Sequence, residues 1–388
     1  MKTVKLIFSA FRDLLVRTVP ANKKKERYHF AFLVHTRNIH DVYRKYPFMK
    51  ILPKRMVLII ARHMWPVVVS EVTGLKSLKT GQEVRGVIIG FLMTAHQMME
   101  DRKLALKRIM DSTILAKKMG ANIIGLGALT SSLSRGGLDI VNKIDVNVTT
   151  GHAYTAHTVA SNVFRVIQMF NLPKDHIRVG VVGASGSVGS TTALLLVREG
   201  IEHIHLLEVE RKISKMDSVI HTLKKINPKT EFTLSSDMFS LRTMDIIVTA
   251  TNAPEAVLYN KHIKPGAIVI DDAQPSDVAP EVLENEDVLV LEAGVVHTPH
   301  VDNHFKFGLK DKYDNFCCLC EIMILAANEW EGHYVVNRAN LHLIDKIVDM
   351  SNGLGFRLAE LQNFKETISK NKIENIKRIL TKKSHVHV

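Results

Sequence analysis

Cysteine is scarce in this 388-residue chain: there are three, Cys317, Cys318 and Cys320, all within one helical turn of sequence. Thiols that close cannot staple distant elements, which excludes a disulfide framework and suits a reducing compartment. Long apolar runs are missing too. None reaches the roughly 18 residues needed to span a bilayer. The stretch Met1 to Thr18 is broken by Arg12 and Asp13 inside any would-be signal core. The expectation is a cytoplasmic protein. Acids are outnumbered, with 39 Asp and Glu against 52 Lys and Arg, a net charge of +13. That balance favours acidic partners, whether nucleic acid, an anionic membrane surface or an acidic carrier protein, without choosing among them. The basic clusters Lys23-Lys24-Lys25, Lys54-Arg55, Lys107-Arg108, Lys117-Lys118 and Lys382-Lys383 lack interleaved aromatics. No nucleic-acid partner is therefore expected.

What is present is a glycine turn in mid-chain. Gly183, Gly186 and Gly189, with Ala184, Ser185, Ser187 and Val188 between them, join the apolar run Ile177 to Val182 to a helix-like stretch ending at Gly200. A strand that turns straight into a helix lets backbone N–H groups and the positive helix end approach a pyrophosphate closely. Further apolar strands are expected at His203 to Glu208, Asp245 to Ala250, Ala267 to Asp271 and Val288 to Leu291, alternating with helices. This pattern predicts an α/β fold with a central Rossmann-type, doubly wound parallel sheet, binding its ligand at the carboxyl ends of the strands. Thr251, in Ala250 to Pro254, and the segment Asp271 to Pro275 fall at such ends. Glu208 lies nineteen residues past Gly189, where an acid bonds a ribose 2′-hydroxyl, while Arg211 and Lys212 could hold a 2′-phosphate.

The remaining chain divides around that domain. Residues 2 to 18 place Val4, Ile7, Phe8, Phe11, Leu14 and Leu15 at helical spacing among Lys2, Lys5, Arg12 and Arg17. Two readings stay open, a helix docked on its own domain and reversible peripheral contact with an anionic membrane. Residues 1–28 form this basic extension and a linker at Pro20 to Arg27. Residues 29–150 form an N-terminal α/β substrate domain, with an amphipathic stretch from Asp101 to Met119. Residues 151–172 form a connecting helix, 173–300 the dinucleotide-binding domain, 301–365 a C-terminal helical segment and 366–388 an exposed basic tail.

The chemistry-bearing group is the cysteine cluster. Asp314 as N-cap would put Cys317 and Cys318 in the first turn of a helix, where the macrodipole stabilises a thiolate. Cys317 and Cys320 share one face and Cys318 points about 100° away. The spacing fits no common zinc finger, so no metal is expected. A nicotinamide site joined to a helix-start thiol suggests a carbonyl captured by sulfur and then reduced, as for an acyl thioester. His152, His297, His300 and Glu321 are all conceivable proton donors.

With these residues in view, the chain resembles the long-chain acyl-[acyl-carrier-protein] reductases of cyanobacterial type. The likeness runs from about Phe30 to about Leu361 through Thr80-Gly81-Gln82, Leu126 to Ser131, Thr149-Thr150-Gly151, Val182 to Gly186, Gly294-Val295-Val296 and Asn315 to Glu321. The resemblance implies a cysteine acyl-enzyme, formed by the cysteine two residues after Phe316 and three before Glu321, which is Cys318. It also implies reduction of a fatty acyl thioester to an aldehyde, NADPH as cofactor (with NADH left open by Glu208), and acyl carrier protein as an acidic protein substrate, coenzyme A esters competing. Gly294 joins the cofactor-contact candidates. Gly127, Thr130, Ser131, Thr150, Gly151 and Thr155 become candidate substrate-lining residues. The alternatives are a dehydrogenase of a hydroxy compound with a shikimate-dehydrogenase-like layout, and a non-catalytic nucleotide-binding sensor.

Overall fold

A computed structural model of the chain describes residues 2–18 and 28–384. The linker expected at Pro20 to Arg27 lies outside the described residues. The chain divides into two compact units. The first comprises residues 1–154, 296–338 and 345–357, and the second residues 155–295, 339–344 and 358–388.

The first unit is built on a five-stranded sheet of β1 (Phe30–Thr36), β2 (Val67–Lys76), β3 (Glu83–Thr94), β4 (Ile123–Leu126) and β5 (Asn147–Thr149), in the order β2-β3-β1-β4-β5. β2 and β3 are antiparallel and the other neighbours parallel. Strand β1 is central and nearly continuously apolar because both its faces are covered. The helix Arg102–Lys118 starts where the Asp101 carboxylate accepts from the Leu104 N–H at 3.0 Å. It lays Ala105, Ile109 and Leu115 against Leu33, Val87 and Ile89 of the sheet. Each fully buried Leu, Ile or Val side chain among these stabilises by about 1.5–3 kcal/mol.

The second unit carries six parallel strands, β6 (Arg178–Val182), β7 (His203–Leu207), β8 (Glu231–Ser235), β9 (Ile246–Thr249), β10 (Ile268–Asp271) and β11 (Leu289–Glu292). Their order is β11-β10-β9-β6-β7-β8. The chain runs outward through β7 and β8, returns to β9 beside β6, and runs outward the other way. The order therefore reverses between β6 and β9, where such sheets open a crevice for a dinucleotide. β8 does not read as an apolar run because it is a half-exposed edge, Glu-Phe-Thr-Leu-Ser. The tail is not simply exposed as expected: residues Lys370–Ser384 form a helix whose Ile376 is buried. Lys372 and Asn375 of that helix donate to the carbonyls of Asn285 and Glu286 within the same unit.

Candidate functional site

In the second unit the glycine turn sits at the end of β6. Gly183 has φ +79°, and a Cβ there would lie 2.7 Å from the Ala250 carbonyl oxygen. A Cβ at Gly189 would lie 2.5 Å from the Gly183 oxygen, so helix and strand meet at a distance only hydrogen permits. Gly183 and Ala184 donate to the Leu207 carbonyl, and Gly186 caps the helix Ser187–Arg198, whose first turn holds Val188. The Ser187 hydroxyl accepts from the Ala339 N–H at 3.3 Å. These positions fit the phosphates of a dinucleotide: the cradle is open backbone at a helix start.

Glu208 turns inward rather than outward. It is 4% exposed, and its carboxylate accepts from the Ser185 N–H at 3.0 Å and the Val209 N–H at 2.9 Å, with Lys212 Nζ at 3.6 Å. Burial pushes the carboxyl pKa up, but the hydrogen bonds from Ser185 and Val209, with the Lys212 charge, outweigh it and hold the carboxyl below its ordinary value. Arg211 is exposed beside it, and Gly294 is buried just past β11. Thr251, at the end of β9, donates through its N–H to Asp277 at 2.9 Å and through its hydroxyl to the same carboxylate. Asp271 in turn accepts from Thr249, Ala273, Ser276 and the Asp277 N–H. Sequence reasoning missed Asp277. Its signal was a second acid six residues after Asp271 across the Pro275 turn.

The second cluster lies in the first unit. The helix Cys317–Ala327 begins with Phe316 at the N-cap position and no side-chain cap. Asp314, the expected cap, instead lies in the short strand Asp314–Phe316 and holds His297 Nδ1 at 3.0 Å. A carboxylate two residues too early in an extended segment cannot reach the helix N–H groups. Cys317 and Cys318 still occupy the first turn. None of the three cysteines is in a disulfide; Cys317 and Cys320 are buried and Cys318 is partly accessible. Burial, with Cys318 and Asp314 adding to it, raises the Cys320 thiol well above its ordinary pKa.

Gly151 packs directly on Cys318. It has φ +78°, and a Cβ there would lie 2.5 Å from the Cys318 Cβ and 2.7 Å from its Cα. Glu321, fully buried one turn further along the cysteine helix, accepts from the Gly151 N–H at 3.0 Å, the Tyr154 N–H at 2.8 Å and the Thr149 hydroxyl. Burial raises the Glu321 pKa; the hydrogen bonds from Thr149, Tyr154 and Gly151 act against that. The carboxylate thus clips the Thr149-Thr150-Gly151 loop to the helix that carries the thiol. On either side of Gly151, Thr150 Oγ1 and His152 Nδ1 are buried without a hydrogen-bond partner. Buried polar atoms of that kind cost free energy and call for an explanation.

The sequence candidates separate accordingly. Ser131 Oγ meets His152 Nε2 at 3.1 Å, and burial lowers the His152 pKa to about 4, so the ring is neutral at physiological pH. Thr130 spends its hydroxyl on the Gly127 carbonyl at 2.8 Å, and Gly127 packs its backbone on Phe32 and Leu33. Thr155 is buried on the helix His152–Phe170, at the point where the second unit begins. His300 is exposed. Among the described residues, one trio of possible metal ligands falls within 4.8 Å, His297, Asp311 and Asp314, and no cysteine belongs to it. No described helix is long and apolar enough to cross a membrane.

Comparison with known proteins bears first on the glycine-turn unit. The family described as Shikimate / quinate 5-dehydrogenase matches residues 168–293. Aminotransferase PigE of Serratia sp. is 23% identical over 305 residues, covering 77% of this chain and 35% of PigE, so the chain spans about a third of that relative. The long-chain acyl-[acyl-carrier-protein] reductase of Synechococcus elongatus is 24% identical over 311 residues, 75% of this chain and 87% of the reductase. A crystal structure of malic enzyme from Pyrococcus horikoshii covers 98% of this chain and 82% of its own at 12% identity, with a TM-score of 0.40. The family match and the reductase likeness support an NAD(P)-linked oxidoreductase.

Proposed function

We propose that this chain reduces long-chain fatty acyl thioesters to aldehydes, with Cys318 carrying the acyl group. The observation that carries the reading is the setting of Cys318: a partly accessible thiol in a helix first turn, against a loop that leaves Thr150 Oγ1 and His152 Nδ1 unmatched. The thiolate, favoured by the helix dipole, attacks the thioester carbonyl. The bond from that carbonyl to the carrier sulfur breaks, and the carrier thiolate leaves and takes up a proton. Thr150 and neutral His152 supply polar contacts to the acyl oxygen in this reading, His152 being steadied by Ser131. When bound, a reduced nicotinamide supplies the hydride that takes the acyl carbon to the aldehyde level. Cys318 then recovers its thiolate for the next turnover.

The reading extends to partners and cofactor. A net charge of +13 favours encounter with an acidic acyl carrier protein in a salt-dependent way. Because Glu208 is spent on Ser185 and Val209, exposed Arg211 is the group left for a 2′-phosphate, which supports NADPH. Intact-protein mass spectrometry after mixing with palmitoyl carrier protein, without reductant, tests the first half-reaction. One palmitoyl mass is expected on wild type and on the Cys317→Ser and Cys320→Ser variants, and none on Cys318→Ser. The match of residues 168–293 favours one other reading, a dehydrogenase of a hydroxy compound, which needs no thiol. Unlabelled wild type, or full turnover by Cys318→Ser, would decide for it.

A further inference from the structure

The helix Lys2–Thr18 docks by the wrong face. At about 100° per residue, Val4, Ile7, Phe8, Phe11 and Leu15 share one stripe roughly 100° wide. An amphipathic helix normally buries such a stripe against its own domain. Here the contacts come from the other side: the Asp13 carboxylate accepts from the Val68 N–H at 2.8 Å, the Ala10 carbonyl from Trp65 Nε1 at 2.7 Å, and Arg17 pairs with Asp111 at 2.7 Å. The apolar stripe is left in water, with Phe8 71% and Leu15 60% exposed.

A second helix repeats the pattern. Lys54–His63 buries Val57 and Ala61 and exposes Met56 and Ile59, and Ile51 just before it is 85% exposed. Leu6 of the first helix packs against the apolar cluster to which Val57 and Ala61 of the second belong. The Phe11 and Trp65 rings, 5.3 Å apart, join the first helix to the segment that follows the second. Eight of the twelve large apolar side chains that the described residues expose lie on these two segments. The exposed charges that these two segments carry have one sign, while the neighbouring acids Glu100 and Asp101 lie against Arg62. Lys5, Arg12, Lys50, Lys54 and Arg55 are exposed, while residues 47–63 contain no acid and residues 2–18 contain only the buried Asp13.

We propose that this two-helix face of the first unit binds an anionic membrane surface, its apolar side chains entering the acyl boundary and its lysines and arginines meeting lipid phosphates. Apolar area on paired helices rimmed by bases is the combination an interfacial lipid site requires, and an acidic protein partner would match the bases but not the five-residue apolar stripe. The proposal is independent of the role given to Cys318.

The test is co-sedimentation of the full chain with vesicles of phosphatidylglycerol and phosphatidylcholine in equal parts, and with phosphatidylcholine alone. Pelleting is expected with the first, weakened in high salt, and little with the second. Phe8→Ser with Leu15→Ser, and separately Met56→Ser with Ile59→Ser, should each lower the partition coefficient by about tenfold or more while keeping the wild-type urea midpoint. Cys318→Ser should pellet as wild type. Wild-type pelleting by either double variant, no preference for the anionic vesicles, or a dimer in solution that the variants dissolve without any vesicle binding would overturn it.

Discussion

Replacing Gly151 by alanine isolates the contact on which the thiol site is built. Two costs are legible in the geometry. The residue has φ +78°, and an L side chain in that region costs about 1–2 kcal/mol. The added Cβ would also lie 2.5 Å from the Cys318 Cβ, 2.7 Å from its Cα and 3.2 Å from its carbonyl oxygen. Two of those partners are helix backbone, which cannot swing aside, so overpacking adds about 1–3 kcal/mol. Gly81 supplies the control: it has φ +72° in the same unit, and nothing lies within 4 Å of a Cβ there. Gly81→Ala should cost the backbone part alone, and Gly151→Ala about 2–5 kcal/mol in all. Both tryptophans of the chain, Trp65 and Trp330, belong to the first unit, so urea unfolding followed by their fluorescence reads the right part of the molecule. Gly151→Ala should also change the alkylation rate of Cys318, which Gly81→Ala should leave alone. Equal urea midpoints for the two variants would refute the reasoning.

Three further outcomes follow from charged side chains, two of them on buried acids and one on the exposed Arg211. Glu321→Gln places an amide NH₂ against one of three donors and should cost about 2–3 kcal/mol in the same tryptophan-detected unfolding; a midpoint equal to wild type would show that the clip on Gly151 is not needed. Asp277 is raised from 3.8 to about 7, first by burial and then by the charge of Asp271, itself raised to about 6. The folded state therefore holds protons that the unfolded chain releases, and the second unit should lose stability as pH rises from about 4 to about 7 and level off above. Asp277→Asn, whose oxygen still accepts from Thr251, should flatten that slope and melt higher than wild type at pH 8; an unchanged slope would refute the assignment. Arg211→Ala should raise KM about tenfold for NADPH and leave NADH unchanged, a loss of about 1.4 kcal/mol, and equal effects on both would remove Arg211 from the 2′-phosphate.

Much of the second unit was legible because parallel strands buried on both faces write themselves as short apolar runs, and five of six were found within a residue or two. The exception, Glu231–Ser235, is half-exposed and carries Glu and Thr outward. The glycine turn was legible for a local reason: the spacing of Gly183, Gly186 and Gly189 is a property of one strand, one turn and one helix. Strand pairing in the first unit was not, since the order β2-β3-β1-β4-β5 depends on contacts far apart in sequence. The first helix was found, yet its periodicity could not say which stripe faces the protein. That was decided by Asp13, Ala10 and their partners more than fifty residues away.

The acids explain why the sites themselves were harder to read than the fold. Glu208, Asp277, Glu321 and Asp13 are all buried, and each spends its carboxylate on backbone N–H groups of a distant segment. The sequence separations are 23 for Ser185, 26 for Thr251, 170 for Gly151 and 55 for Val68. In sequence such residues look like ribose acids, loop polarity, proton donors or surface charge. In the fold three of them hold the backbone that would face a ligand, and the fourth fixes the helix whose apolar stripe is left outward. A carboxylate suits that task because it accepts several N–H donors at once, and losing it strands all of them in a dry interior. Their contribution is positional, so substitution should show first in stability and in the reactivity of the neighbouring group, Cys318 for Glu321, and only through that in turnover.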